Sequence, residues 1–185
     1  MVYILLGAGF EEAEALVTAD VLRRAAVPVS LAGIGGSAIA GAHNIVVQAD
    51  VPVQSIALAS GDMVVMPGGM GGVASMEQSP AAMALIAQAN ADPTVWLAAI
   101  CAAPTLLARA GIIGPGVHAV CYPGMEGELS TAGVAPVTDH PVVVQGKLVT
   151  GRGPGAAFDF ALALVEVLSG TAAADQVRAG LHYGV

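Results

Sequence analysis

Four short, nearly unbroken apolar runs constrain this chain more than any other feature: VYILL (2–6), VPVSLAGI (27–34), DMVVMP (62–67) and TVWLAAI (94–100). A strand with one wet face alternates apolar and polar residues. A strand buried on both faces has no need to, so these runs predict a sheet covered by helices above and below. The segments between them have helical character. EEAEALVTADVLRRAA (11–26) carries the 3.6-residue period. SPAAMALIAQANA (79–91) opens with Ser79 as N-cap and Pro80 at the first helical position. APTLLARAG (103–111) is closed by Gly111. Strands alternating with helices build βαβ units, so the expected fold is α/β with a mostly parallel sheet.

The remaining segments fit one domain spanning residues 1–185. HNIVVQADVPV (43–53) reads as one or two short strands in an excursion, and HAVCY (118–122) as a short strand. PVVVQGKLVTG (141–151) reads as a hairpin turning at Gln145-Gly146. A long helix covers 153–170, started by Pro154 and ended by Gly170, and a last helix covers 172–179. Hydrophobic residues make up 56% of the chain and charged residues 11%, which excludes disorder and predicts a buried subunit interface as well as a buried sheet. The formal net charge is −8 with six lysines and arginines, so there is no footprint for nucleic acid. The first apolar run lacks a basic leader and stops at Gly7, and stretches such as Val27–Ala49 are broken by Gly and Pro. Neither a secretory signal nor a membrane span is expected, and a cytoplasmic setting is. Two cysteines, Cys101 and Cys121, form no disulfide framework and no zinc pattern, and no metal is expected.

Ligands in such folds bind beyond the carboxyl ends of the strands, at a topological switch point. Three segments leave strands there: Gly7–Glu14, Pro67–Gly72 and Cys101–Pro104. Cys101 ends a strand and begins a helix, where amides and the positive helix end favour a thiolate. Its local sequence equally fits a small buried hydrophobe. Helical spacing puts Glu14 on one face with Val17, Val21 and Ala25. A carboxyl on that face needs a partner or a raised pKa, unless it is a partly exposed first-turn acid like Glu11 and Glu12. PGGMGG (67–72) brings backbone amides close to a ligand or is a plain turn. Arg152 precedes a helix and reads as an anion ligand, a subunit contact or an exposed helix-start residue. His43, His118, His140 and His182 have no metal-ligand spacing.

Five segments in order, GFEEAEAL, VMPGGMGG, AAICAAPTLLA, CYPGMEGEL and TGRGPGAAFDFALALVEVLSG, resemble the ThiJ/PfpI superfamily, specifically its DJ-one (Parkinsonism-associated deglycase) branch and bacterial YajL-like relatives. The resemblance covers nearly the whole chain. It implies a flavodoxin-like three-layer sandwich that forms a homodimer. It assigns Cys101 as a nucleophile on a strained elbow, contacted by the protonated carboxyl of Glu14. Backbone amides of Gly69 and Ala102 would form the oxyanion hole, with Gly68, Tyr122, Arg24 and Pro154 around the pocket. Two departures matter. Protease-like members carry a histidine directly after the cysteine, where this chain has Ala102, which argues against a peptidase. Animal members carry a pocket histidine where this chain has Tyr122, a poor base near neutral pH, so proton transfer falls to Glu14. A further arginine near the animal pocket falls at His43 here.

The resemblance implies a cofactor-independent enzyme of the glyoxalase III or deglycase type, acting on reactive carbonyls such as methylglyoxal. The alternative is a redox-responsive stress protein or chaperone, with client proteins as partners and Cys101 oxidation as its signal. Both readings use the same site.

Overall fold

The computed structural model describes residues 1–184. In chain order its strands are β1 (Val2–Leu6), β2 (Val29–Gly33), β3 (Ala38–Ala40), β4 (Val46–Gln48), β5 (Val51–Pro52), β6 (Met63–Met66), β7 (Trp96–Ile100), β8 (His118–Ala119), β9 (Ala135–Pro136), β10 (Val142–Gln145) and β11 (Leu148–Gly151). The helices are α1 (Glu12–Arg24), α2 (Met70–Gln78), α3 (Pro80–Ala91), α4 (Ala103–Arg109), α5 (Glu126–Thr131), α6 (Ala157–Ser169) and α7 (Thr171–Gly180). Seven strands form the central sheet in the order β10-β11-β7-β6-β1-β2-β5. All its pairings are parallel except the hairpin β10–β11 at one edge.

The unbroken apolar runs do what their composition requires. Met63, Val64, Val65 and Met66 of β6 have no exposed surface, nor do Ile4, Leu5 and Leu6 of β1. Helix α1 packs on α6 and α6 on α7, while α2 packs on α3 and α4. The two helical groups cover opposite faces of the sheet, giving the flavodoxin-like three-layer arrangement expected from right-handed crossovers.

Several local expectations change. The first helix is shorter at both ends than 11–26, with Glu11 as its N-cap. The excursion at 43–53 holds two short strands, within the expectation, but β4 pairs with β3, which precedes it, as a separate antiparallel hairpin, while β5 joins the edge of the central sheet. The expected strand at 118–122 is reduced to β8, which pairs with β9 in a second small sheet, so Cys121 lies just beyond the strand rather than within it. The long helix at 153–170 begins as a 3-10 turn over Pro154–Ala156 before α6. Helices α2 and α5 were not expected. Glycines at 71, 72 and 127 weaken their helical signal, and packing of Val73, Met76 and Leu129 into the core supplies the stability. No helix among the described residues is long and apolar enough to cross a membrane.

Candidate active site

Strand β1 lies between β2 and β6, and the chain reaches those neighbours on opposite sides of β1. This is a switch point, and the carboxyl ends of β1, β6 and β7 open there together. The three segments expected to converge do so. The Gly68 carbonyl accepts the Glu11 amide at 3.0 Å. The Cys101 amide donates to the Gly151 carbonyl at 2.9 Å, and the Cys101 carbonyl accepts the Tyr122 amide at 2.8 Å.

Cys101 follows the last residue of β7 directly and has φ +66°. A non-glycine residue in this left-handed region costs on the order of 1–3 kcal/mol and persists only where its surroundings hold it. Here the hydrogen bonds on both sides of Cys101 hold it. The turn aims the side chain into the switch-point crevice. The side chain is nearly buried, with 7% of the residue exposed.

Glu14 reaches the same point from the first turn of α1. The residue is fully buried. Its Oε2 accepts the Gly68 amide at 2.6 Å, and its Oε1 has no hydrogen-bond partner. Burial pushes the carboxyl up to about 7, against the lowering effect of the Gly68 amide and of Cys101. The Glu14 amide is capped by Glu11 Oε2 at 2.8 Å, which fixes the turn carrying the carboxyl.

The thiol behaves differently from its expectation. Burial first, and then the charge and hydrogen bond of Glu14, push Cys101 up to about 12. Only the amides of Gly69 and Ala102 act in the opposite direction. A strand-to-helix corner favours a thiolate when it is solvated. This corner is desolvated and faces a carboxylate, and α4 has only seven residues. Both effects favour the protonated thiol, opposite to what a solvated corner would favour. Protonation of Glu14 removes the opposing charge, so the two groups are coupled through one proton.

Gly68 is the spacer between them. A methyl group there would lie 2.5 Å from Cys101 Cβ, 2.8 Å from Glu14 Oε2 and 2.9 Å from Cys101 Sγ. Gly69 has φ +83°, and a methyl on it would collide with the Gly9 carbonyl and sit 2.7 Å from the Glu11 nitrogen. Gly68→Ala is expected to cost about 1–3 kcal/mol of stability, because the overlap falls on packed atoms. Urea unfolding of the variant checks this, and an unchanged midpoint would mean the strand end has room that the distances deny.

An open cleft of about 680 Å³ leads to the sulfur. Of the four residues expected around the pocket, Tyr122 and Pro154 line it, with Gly69 and Ala102, while Gly68 and Arg24 do not. His43, at the position of the animal arginine, also lines it, and Glu11, Met70 and Met125 do so without having been anticipated. The sequence placed Glu12 on the solvent side, but it is buried. Its carboxylate accepts the His43 amide at 2.7 Å, the Ile45 amide at 3.3 Å and contacts His43 Nδ1 at 2.9 Å. Burial alone would raise Glu12, but these hydrogen bonds hold it below its ordinary value. No local pattern links a first-turn glutamate to a loop thirty residues on. Glu11, Glu12 and His43 have ligand atoms within 4.8 Å of one another. Glu12 and His43 are engaged in the loop-holding hydrogen bonds just described, and Glu11 caps the Glu14 amide.

Arg24 is not brought to the cleft. It pairs with Asp20 at 2.7 Å and lines a separate cavity with Ala25, Ala26 and Gln176. It lies ten residues after Glu14 on one helix, and a rise of about 15 Å carries it away from the strand ends.

A profile of the DJ-1/PfpI family matches residues 1–167. Protein dj-1beta of Drosophila melanogaster is 38% identical over 179 residues, covering 96% of this chain and 94% of its own length. The crystal structure of that Drosophila protein superposes with a TM-score of 0.93 at 36% identity, over 100% of this chain and 98% of the other. A Caenorhabditis elegans relative named glutathione-independent glyoxalase DJR-1.2 is 31% identical over 160 residues, covering 86% of this chain and 83% of its own length.

Proposed function

This chain belongs to the DJ-1/PfpI family, and we propose from that premise that it converts small reactive carbonyls such as methylglyoxal to hydroxy acids, with Cys101 as nucleophile. The observation that carries this reading is the coupled pair: a cysteine on a left-handed elbow, and a buried carboxyl pushed up to about 7 beside it. The name of the C. elegans relative supports the substrate class.

The roles follow from the geometry. Glu14 as carboxylate takes the thiol proton as sulfur adds to the aldehyde carbon and returns it to the new oxygen, giving a hemithioacetal and restoring the carboxylate. The amides of Gly69 and Ala102 approach the sulfur and are placed to receive the oxygen that gains charge in that step. A carboxyl near 7 then moves a proton from the aldehyde carbon to the neighbouring carbonyl carbon, through an enediol. The first carbon is oxidised to a thioester and the second is reduced to a carbinol. Water cleaves the thioester, releasing lactate and the thiol. The sum is methylglyoxal plus water to lactate, so no external oxidant or reductant is needed. Turnover of methylglyoxal by the purified protein, with lactate as product, tests the proposal. Absence of lactate under conditions where the protein is folded counts against it.

The same amides support the second reading, a redox signal, because they would hold the oxygens of a sulfinate at Cys101. Mild peroxide is expected to oxidise Cys101 ahead of Cys121. Cys101 opens onto the cleft, whereas Cys121 is buried outside it with its Sγ 3.6 Å from the Tyr122 carbonyl. Peptide mass spectrometry reads the order directly, and faster oxidation of Cys121 would remove the basis for a sensor at Cys101.

We also propose a homodimer. Ile45 and Val46 stand 52% and 63% exposed at the β3–β4 hairpin, an apolar pair awaiting a partner surface. Light scattering at micromolar concentration is expected to give twice the 18.2 kDa chain mass.

A further inference from the structure

The chain has six lysines and arginines, and five of them are engaged. Arg23 pairs with Asp50, Arg24 with Asp20, and Arg109 with Glu77 and Glu128. Lys147 lies over the Trp96 ring and Arg178 over the Tyr183 ring. Among the described residues, Arg152 has neither a carboxylate in ion-pair range nor an aromatic face. Its Nη1 donates to the Thr138 carbonyl at 2.7 Å and its backbone amide to the Pro141 carbonyl at 2.9 Å. Those two bonds pin the residue, while Nε and Nη2 have no partner among the described residues.

Arg152 lines a groove of about 340 Å³ with Pro141, Gly153 and Asp159. The groove shares Tyr122, Pro123 and Pro154 with the Cys101 cleft. Among the described residues its one carboxylate is Asp159, which accepts the Tyr183 hydroxyl at 3.0 Å. In a chain of net charge −8, a pinned and unpaired guanidinium beside the reactive cleft is a local exception to a field that repels anions. A planar fork with free N–H groups matches a carboxylate or a phosphate.

We propose that Arg152 is the anion-recognising end of the substrate site. The substrate class it selects is a carbonyl compound carrying a carboxylate or phosphate several bonds from the reactive carbon. The carbonyl then meets Cys101 around the wall of Tyr122 and Pro154 while the anion meets Arg152. The inference rests on the reading of Cys101 as the reactive thiol and deepens it.

The test alkylates Cys101 with N-iodoacetyl-β-alanine, with its neutral amide, and with N-iodoacetyl-ethanolamine phosphate. In each case a C–S bond forms, iodide leaves and the thiol proton goes to the buffer. Rates at Cys101 are read by peptide mass spectrometry in wild type, Arg152→Lys and Arg152→Gln. The expected result is a fall of about tenfold in the anionic-to-neutral rate ratio for Arg152→Gln, with the amide rate unchanged and Arg152→Lys intermediate. The anionic probe that loses more identifies the preferred group. Equal ratios in wild type and Arg152→Gln overturn the inference. An equal loss for all three probes also overturns it, and makes Arg152 a support for the 138–141 loop. Alkylation needs no aldehyde turnover, so charge discrimination without lactate formation sinks the proposed reaction alone. A wild-type Cys101 that no probe alkylates sinks both.

Discussion

Cys101→Ser is expected to lower methylglyoxal turnover by at least about a thousandfold while leaving the fold intact. A hydroxyl at this corner is a far weaker nucleophile than a thiol, and removing the attacking atom commonly costs this much or more. Serine is slightly smaller and accepts the same backbone, so the left-handed elbow and the amide bond to Gly151 remain. The comparison is made at equal folded fraction, with near-ultraviolet circular dichroism as the control. Lactate formation by the serine variant at the wild-type rate would place the chemistry elsewhere in the molecule. The amides of Gly69 and Ala102 would then be structural.

Glu14→Gln carries the second large effect, and it has two signs. Glutamine accepts the Gly68 amide through its carbonyl oxygen but cannot take or return a proton. Turnover is expected to fall about 10²- to 10⁴-fold. Stability should move the other way. The Glu14 carboxyl is raised from 4.5 to about 7 in the folded chain. Between those values the folded state binds a proton that the unfolded state has released. Stability from this group is therefore fully present below about pH 4.5 and lost as pH rises toward 7, by about 3 kcal/mol. The glutamine variant lacks this loss. Its urea midpoint should vary less between pH 5 and pH 8 and should exceed wild type at pH 8, on the pH scale of the Glu14 shift. A variant that keeps full turnover would reduce Glu14 to a structural carboxyl. A variant no more stable than wild type at pH 8 would mean the buried carboxylate has compensation that its partnerless Oε1 does not suggest.

These opposite signs explain a local conflict in the chain. A leucine or methionine at 14 would suit the buried face of α1 better than a glutamate does. The chain instead holds a carboxyl with one unsatisfied oxygen at the end of three buried strands. Buried titratable groups of this kind are common where proton transfer is needed and rare elsewhere.

Periodicity is a local property, and the parts of this protein that depend on it were legible in the chain. The apolar runs at 2–6, 62–67 and 94–100 and the helical segments between them identified the parallel sheet, its helical cover and the three strand ends where a site forms. The spacing around Glu14 placed that carboxyl on the packed face of α1, and the strand-to-helix junction singled out Cys101. Weakly patterned elements were not legible: α2 and α5 contain glycines and form because tertiary packing buries a few of their residues. Charge and titration were not legible either, because they depend on everything around a group. A helix start alone argues for a thiolate at Cys101, but desolvation and the facing carboxylate act in the opposite direction. Glu12 looks like a solvent-side acid until the 41–45 loop folds over it. Arg24 and Arg152 differ little as sequence symbols. Only the tertiary structure separates them, because a helix carries one away to pair with Asp20, while a hairpin end leaves the other without an ion pair among the described residues, beside the Cys101 cleft.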